Sequence, residues 1–360
     1  MSLVNIHTQW DPLEEIIVGS VYDPSTFQDA NVDKSYLSYM KRILEETEED
    51  LDKLVALLAS FDVEVKRPKI LFQNDDQFQI SSLEWSHPHP PLWPRDISFV
   101  VGNKILTGWT GNLSRYFETW SLYDHFVEYF QSGAEWIQMP SFIPKTNEKY
   151  IGSIYQRHYQ NQMLFHGTQL MRCGKDIFST IPRCEKNKHG IGTSLGMEWF
   201  KRTLETYGYN LWTTELEGGH IDGRLALIKP GLVVSWQPKD KLPSNLQKWD
   251  HIHLDYQEMC PTQWWQDYRN KEGRFRKEWI EKYLSDWVGN FEETYFNVNM
   301  LVVNQETVIS TNCSKLLSSK LKPYGIEVIP FPFRHAHFWD GGVHCLTLDI
   351  RRKGKLESYF

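Results

Sequence analysis

The feature that most constrains the fold is a unit that recurs along the whole chain: two short strands joined by a tight turn, then a helix, then a third strand. One copy runs through a strand at 97–101, turns at Gly102-Asn103 and returns at 105–107. Glycine and asparagine tolerate the positive φ that tight hairpin turns require. A helix is expected over 115–131, with Tyr123, Phe126, Val127 and Phe130 on its apolar face, followed by a strand at 135–139. The second copy pairs 169–173 with 176–179 across Gly174-Lys175, then predicts a helix over 194–207 and a strand at 210–214. The third pairs 225–228 with 232–236, with a weak helix near 244–248 and a strand at 251–254. The fourth pairs 300–303 with 308–310, with a helix over 314–324 and a strand at 327–330.

The fifth copy is divided between the chain ends. Its helix, 34–61, carries apolar residues at 37, 40, 44, 51, 54, 55 and 58, which fall on one helical face, and its third strand is 64–66. Its hairpin would pair 15–18 with 346–350. Joining the first strand to the last closes a ring, as radially repeated folds do. The expected architecture is one α/β domain over residues 1–360. It would be a five-unit ββαβ propeller with pseudo-five-fold symmetry, closed by the N- and C-terminal strands. Residues 256–295 interrupt the repeat with an aromatic and charged insertion, suited to a lid or to an extra surface helix or dimer contact.

Composition narrows the function classes. Hydrophobic residues at 41% and charged residues at 24% suit a packed core rather than disorder. No apolar run approaches the roughly 18 residues of a membrane span, and residues 1–20 lack the basic-then-apolar pattern of a signal peptide. Net charge is −7, and the basic clusters, Arg274 to Lys277 and Arg351 to Lys353, are short, so neither nucleic acid nor a membrane is an expected partner. Five cysteines without a Cys-x-x-Cys pair point to a reducing compartment and a cytoplasmic location.

Chemistry-bearing residues recur just before the first strand of successive hairpins: Asp96, His166, His220 with Asp222, Asn299 and Cys345. In a ring of equivalent units, such positions converge on the axis at one end. Cys345 follows the Gly-rich Gly341-Gly342-Val343-His344 and is the nucleophile candidate, although a lone cysteine also suits a small core position. Cys173, Cys184, Cys260 and Cys313 lack that approach and are read as structural. In an extended segment His220 and Asp222 point to the same side; the same residues suit a polar turn. Asp96, in Trp93-Pro94-Arg95-Asp96, suits a strand-start cap or an internal partner for Arg95. Three His-x-His pairs (87/89, 251/253, 335/337) lack a nearby third ligand, so no metal is expected. Trp264-Trp265 suits core or pocket walls.

These segments resemble a family. Glu217-Gly218-Gly219-His220-Ile221-Asp222-Gly223, Trp93-Pro94-Arg95-Asp96, Gly341-Gly342-Val343-His344-Cys345 and the stretch from Trp10 to Gly19 (Trp10-Asp11-Pro12-Leu13-Glu14-Glu15-Ile16-Ile17-Val18-Gly19) look like the amidinotransferases, nearly end to end. That family includes the arginine:glycine, streptomycin inosamine-phosphate and saxitoxin-biosynthesis enzymes. The resemblance implies the five-unit pentein fold, Cys345 as nucleophile and His220 as general acid/base. Asp96 and Asp222 would hold the guanidinium, and Glu217 and Asn299 join the substrate-binding set.

Departures accompany it. His166 stands where the glycine enzyme has an Asp, and an imidazole supplies no permanent negative charge. Lys239 aligns with an Arg that grips the donor carboxylate, and it lacks the bidentate fork. Glu292 and Glu293 replace nearby serines. The resemblance implies L-arginine as donor, a specialised-metabolite amine as acceptor, no cofactor and a homodimer. A hydrolase on the same scaffold, or a silent guanidine-binding relative, are the alternatives.

Overall fold

The computed structural model describes residues 2–27, 34–71, 89–110, 115, 117–140, 163–180, 192–214, 216, 220–254, 297–311, 315–339 and 341–360. Fifteen strands lie in five three-stranded sheets among the described residues. Sheet 1 joins β1 (Leu13–Val18), β2 (Glu64–Lys66) and the last strand, β15 (Thr347–Arg352). Sheet 2 is β3 (Ser98–Val101), β4 (Lys104–Thr107) and β5 (Glu135–Gln138), and sheet 3 is β6 (Leu170–Cys173), β7 (Asp176–Thr180) and β8 (Asn210–Thr214). Sheet 4 is β9 (Leu225–Lys229), β10 (Leu232–Ser235) and β11 (Asp250–His253). Sheet 5 is β12 (Met300–Asn304), β13 (Thr307–Ser310) and β14 (Glu327–Pro330). In every sheet the central strand pairs antiparallel on one side and parallel on the other. A parallel partner needs a crossover, usually a helix. α1 (Lys34–Ala59), α3 (Tyr123–Gln131, after the short α2, Glu118–Ser121), α4 (Ser194–Thr206) and α5 (Lys315–Leu321) supply four of the five. A last short helix, α6 (Ala336–Trp339), precedes the Gly341-Gly342 loop.

The chain ends meet as expected: Ile16 pairs with Asp349 and Val18 with Thr347. Gly102 turns the β3–β4 hairpin at φ 58°, a value that favours glycine. Alternate residues along a strand point to opposite faces, and here they enter different cores. Phe99 and Val101 pack with Phe200 of α4, whereas Val100 packs with Phe126 of α3. The four apolar clusters thereby join sheet 1 to sheet 2, sheet 2 to sheet 3, sheet 3 to sheets 4 and 5, and sheet 5 back to sheet 1.

Two expected helices differ. The helix expected over 115–131 is interrupted at Leu122, and the buried side chains of α3 are Phe126 and Tyr129. Tyr123 and Phe130 are 55% and 59% exposed. The buried face is the stripe Leu122, Phe126 and Tyr129, and the Tyr129 hydroxyl also donates to buried Glu15 at 2.6 Å. In the third unit the expected helix near 244–248 is only a 3-10 turn, Leu246–Lys248, after another at Lys239–Lys241. Pro238 and Pro243 in this short connection oppose a continuous helix. The expected insertion at 256–295, with Trp264, Trp265 and Cys260, lies outside the described residues, as do Cys184 and Cys313.

A buried charge cluster ties the sheets together. The Asp349 carboxylate of β15, fully buried, accepts from Arg95, from Arg172 of β6 at 3.0 Å and from Arg352 at 2.8 Å. Burial alone would raise its pKa, but the three guanidiniums outweigh that and hold it well below the carboxylate range. The arginines reach on to backbone carbonyls: Arg172 to Val100 at 2.7 Å, Arg352 to Val302 at 2.8 Å and Arg95 to His344 at 2.8 Å. Replacing Asp349 by Asn preserves shape but leaves three buried cations without their anion. Asp349→Asn should lose about 3–5 kcal/mol in urea unfolding, the cost of breaking a buried pair, and a loss under about 1 kcal/mol would contradict this role.

Candidate active site

Cys345 is buried in the loop two residues before β15. Asn299, just before β12, shapes that loop: its Oδ1 accepts from the backbone of His344 at 3.1 Å and Cys345 at 3.3 Å, while its Nδ2 donates to Cys345 Sγ at 3.0 Å. This close approach explains Gly342, because a Cβ there would come within 2.6 Å of Asn299 Oδ1. Asp222 faces the same sulfur. Its Oδ2 lies 3.4 Å from Cys345 Sγ and 2.7 Å from His344 Nδ1. Its Oδ1 is buried with no hydrogen-bond partner among the described residues.

A second group of side chains lies beside this one. Asp96, at the start of sheet 2, accepts from Arg115 at 2.8 Å through Oδ2 and from Thr168 at 3.1 Å through Oδ1. Arg115 in turn holds Glu118 through two bonds of 2.9 and 2.8 Å. His166 Nδ1 and His220 Nε2 are 3.2 Å apart. One ligand-capable atom from each of Asp96, His166 and His220 lies within 4.8 Å of the others.

Burial sets the charges, with neighbours correcting it. Burial would raise Asp96, but Arg115, His220 and His166 hold it far below the usual carboxylate range. Asp222 is likewise raised by burial, yet the hydrogen bond from His344 leads the terms that bring it lower, with His220 and Arg95 contributing. Burial and Arg95 keep His344 neutral, so its Nδ1–H donates to an ionised Asp222. Cys345 is pushed well above an ordinary thiol by burial, then by Asp222 and Asp96, with Asn299 opposing. Two carboxylates, one with a spare oxygen, therefore face a neutral thiol. The arrangement suits a planar cation that brings its own positive charge to the sulfur.

The structure brings together six of the eight expected site residues: Cys345, His220, Asp96, Asp222, His166 and Asn299. Glu217 lies outside the described residues. Lys239 is exposed on its 3-10 turn, and its charge helps lower the pKa of His251. Glu292 and Glu293 are also outside the described residues. Two local expectations are corrected. Asp222 sits in a 3-10 turn, Ile221–Gly223, rather than in an extended segment, so the alternation argument for His220 and Asp222 does not hold. Asp96 pairs with Arg115 and not with Arg95, which belongs to Asp349. His344, Arg115 and Thr168 escaped sequence reasoning. His344 stood inside a quoted motif, but its partner is 122 residues away. Of the His-x-His pairs, His89 meets Glu118, His335 meets Glu46, and the rings of His251 and His253 stack on each other.

Comparison with known proteins bears on the whole chain. No protein-family model matches it. It is 28% identical to inosamine-phosphate amidinotransferase 1 of Streptomyces glaucescens, covering 100% of this chain and 99% of the relative. It is 26% identical to the L-arginine:L-lysine amidinotransferase of Pseudomonas savastanoi pv. phaseolicola, covering 98% and 95%. The solved amidinotransferase of the saxitoxin biosynthetic pathway from Microseira wollei superposes with a TM-score of 0.73 at 26% identity, over 99% of this chain and 100% of that one. The chain is thus similar over nearly its whole length to amidinotransferases. His166, which the sequence reading sets opposite an Asp of the glycine enzyme, has its ring against that of His220. Burial first, then His220, drives its pKa down to about 3 from 6.5, with Asp96 pulling the other way. His166 is thus a neutral hydrogen-bonding group where an Asp would be a fixed anion.

That depressed pKa has a sign. Between pH 6.5 and about 3 the unfolded chain binds a proton at this imidazole that the folded chain refuses. Stability is therefore lost as pH falls through this window, by about 1.4 kcal/mol per pH unit for one proton. The stability difference between His166→Asn and the parent, measured by urea unfolding at several pH values, should change with that slope in favour of the variant at low pH. A difference that stays constant with pH would contradict a neutral buried His166.

Proposed function

We propose that this chain transfers the amidino group of L-arginine to an acceptor amine through a covalent intermediate on Cys345. The observation that carries the reading is the buried oxygen of an ionised Asp222, without a partner among the described residues, beside the Cys345 thiol. A buried anion calls for a partner, and a guanidinium N–H fits one held next to a sulfur nucleophile. The homology to amidinotransferases, one of them named for arginine, supports the donor.

The steps follow from the charges. Asp222 and Asp96 fix the donor cation, whose charge offsets the two carboxylates and lowers the cost of forming the thiolate. The Cys345 proton passes to His220 as the sulfur attacks the guanidinium carbon. His220 then protonates the leaving nitrogen, the C–N bond breaks and ornithine departs, leaving amidino-Cys345. The acceptor amine attacks the same carbon, gives a proton to His220 and releases the sulfur. His166 keeps its neighbour's ring oriented through the 3.2 Å contact without adding charge that would compete with the donor. No step calls for a redox cofactor. In this reading the five sheets are the blades of a closed five-unit propeller in a single domain, with the site on its axis. The acceptor is a specialised-metabolite amine, and the enzyme works as a cytoplasmic homodimer.

Product analysis with arginine and a panel of amines tests it. Ornithine should appear in step with a guanidinylated amine, with ping-pong kinetics. Citrulline and ammonia with no captured amine would show that the chain is a guanidine hydrolase instead.

A further inference from the structure

We propose that Asp96, His166 and His220 also form a binding site for a divalent first-row cation such as zinc, which would exclude the guanidinium donor. The three residues come from three different sheet-leading loops, and their donor atoms lie within 4.8 Å of one another. The separation of the two ring nitrogens, which hydrogen-bond each other in the absence of an ion, also fits a shared one. Two nitrogens bound about 2.0–2.1 Å from one zinc, at angles between square and tetrahedral, lie roughly 2.8–3.4 Å apart. Here they are 3.2 Å apart before any ion binds.

The protonation states favour the ion as well. Asp96 is ionised and His166 neutral, the forms that ligate metals. The His166 ring hydrogen-bonds the Thr110 backbone, an outer contact of the kind that orients a ligand imidazole. Asp96 uses Oδ2 for Arg115 and one lone pair of Oδ1 for Thr168, and a carboxylate has about four such positions. Arg115 is the opposing charge, and its two hydrogen bonds to the Glu118 carboxylate offset it. Two histidines and one carboxylate with open positions make a recognised donor set for first-row metals. With Asp in place of His166 the set would contain one histidine and two carboxylates, so His166 makes the difference. Cation and guanidinium need the same Asp96 carboxylate and so exclude each other. The donor geometry stands apart from the transfer reading.

Cobalt(II) is the probe, read by its visible d–d absorption on the intact folded protein, with no turnover required. The parent should bind one equivalent and show low-coordinate bands. His166→Asn, verified as folded by circular dichroism, should weaken binding by at least the roughly 100-fold that loss of even an outer-shell partner can cost. His253→Ala should leave the bands intact, since it removes the stacked surface pair His251 and His253. Absence of bands in the folded parent would overturn the site, as would bands that survive in His166→Asn but vanish in His253→Ala. Bands without any amidino transfer would support the site while removing the proposed function; transfer without bands would do the reverse.

Discussion

The carboxylate of Asp349 is the constraint on which the rest depends. It sits on the strand that joins the two chain ends, and its arginines come from sheet 3, from the loop before sheet 2 and from β15 itself. A buried anion shared by three cations is a poor source of net stability, because desolvation offsets most of the attraction. Its value is geometric. Each guanidinium also binds a backbone carbonyl, and the Arg95 carbonyl partner is His344, next to Cys345. The same residue that ties these sheets together therefore fixes the loop carrying the candidate nucleophile.

From that anchor the site divides into two functions. Around Cys345, Asn299 organises the loop backbone and Asp222 supplies charge, with one oxygen to spare. Around Asp96, Arg115 and Glu118 hold the carboxylate in place while two imidazoles lie edge to edge. Burial and the two carboxylates disfavour the Cys345 thiolate, and in the proposed reading a bound guanidinium would offset them.

Much of the fold was legible because short-range signals specify it. Gly102 and Gly174 mark hairpin turns, and both adopt positive φ. The short strands beside those turns and the long amphipathic α1 define the units they flank. The third unit's helix misled, because Pro238 and Pro243 decide that segment more than its apolar residues do. The face of α3 misled because two apolar stripes compete there, and the one that packs is Leu122, Phe126 and Tyr129. In the site, the residue types preceding each hairpin were visible as a recurrence. Their pairings were not, since Asp96 with Arg115, Asp222 with His344 and Asp349 with Arg172 join positions 19 to 177 residues apart. Long-range electrostatic pairing leaves no periodic trace in a sequence.

The central claim is that Cys345 takes the amidino group, and intact-protein mass spectrometry after exposure to arginine without any acceptor tests it most directly. The account predicts that the protein gains the mass of one amidino group, located on Cys345 by peptide mapping, with one equivalent of ornithine released. Cys345→Ala should gain nothing and release none. Ornithine release from the Cys345→Ala variant, or turnover by the parent with the group found on another residue, would contradict the account.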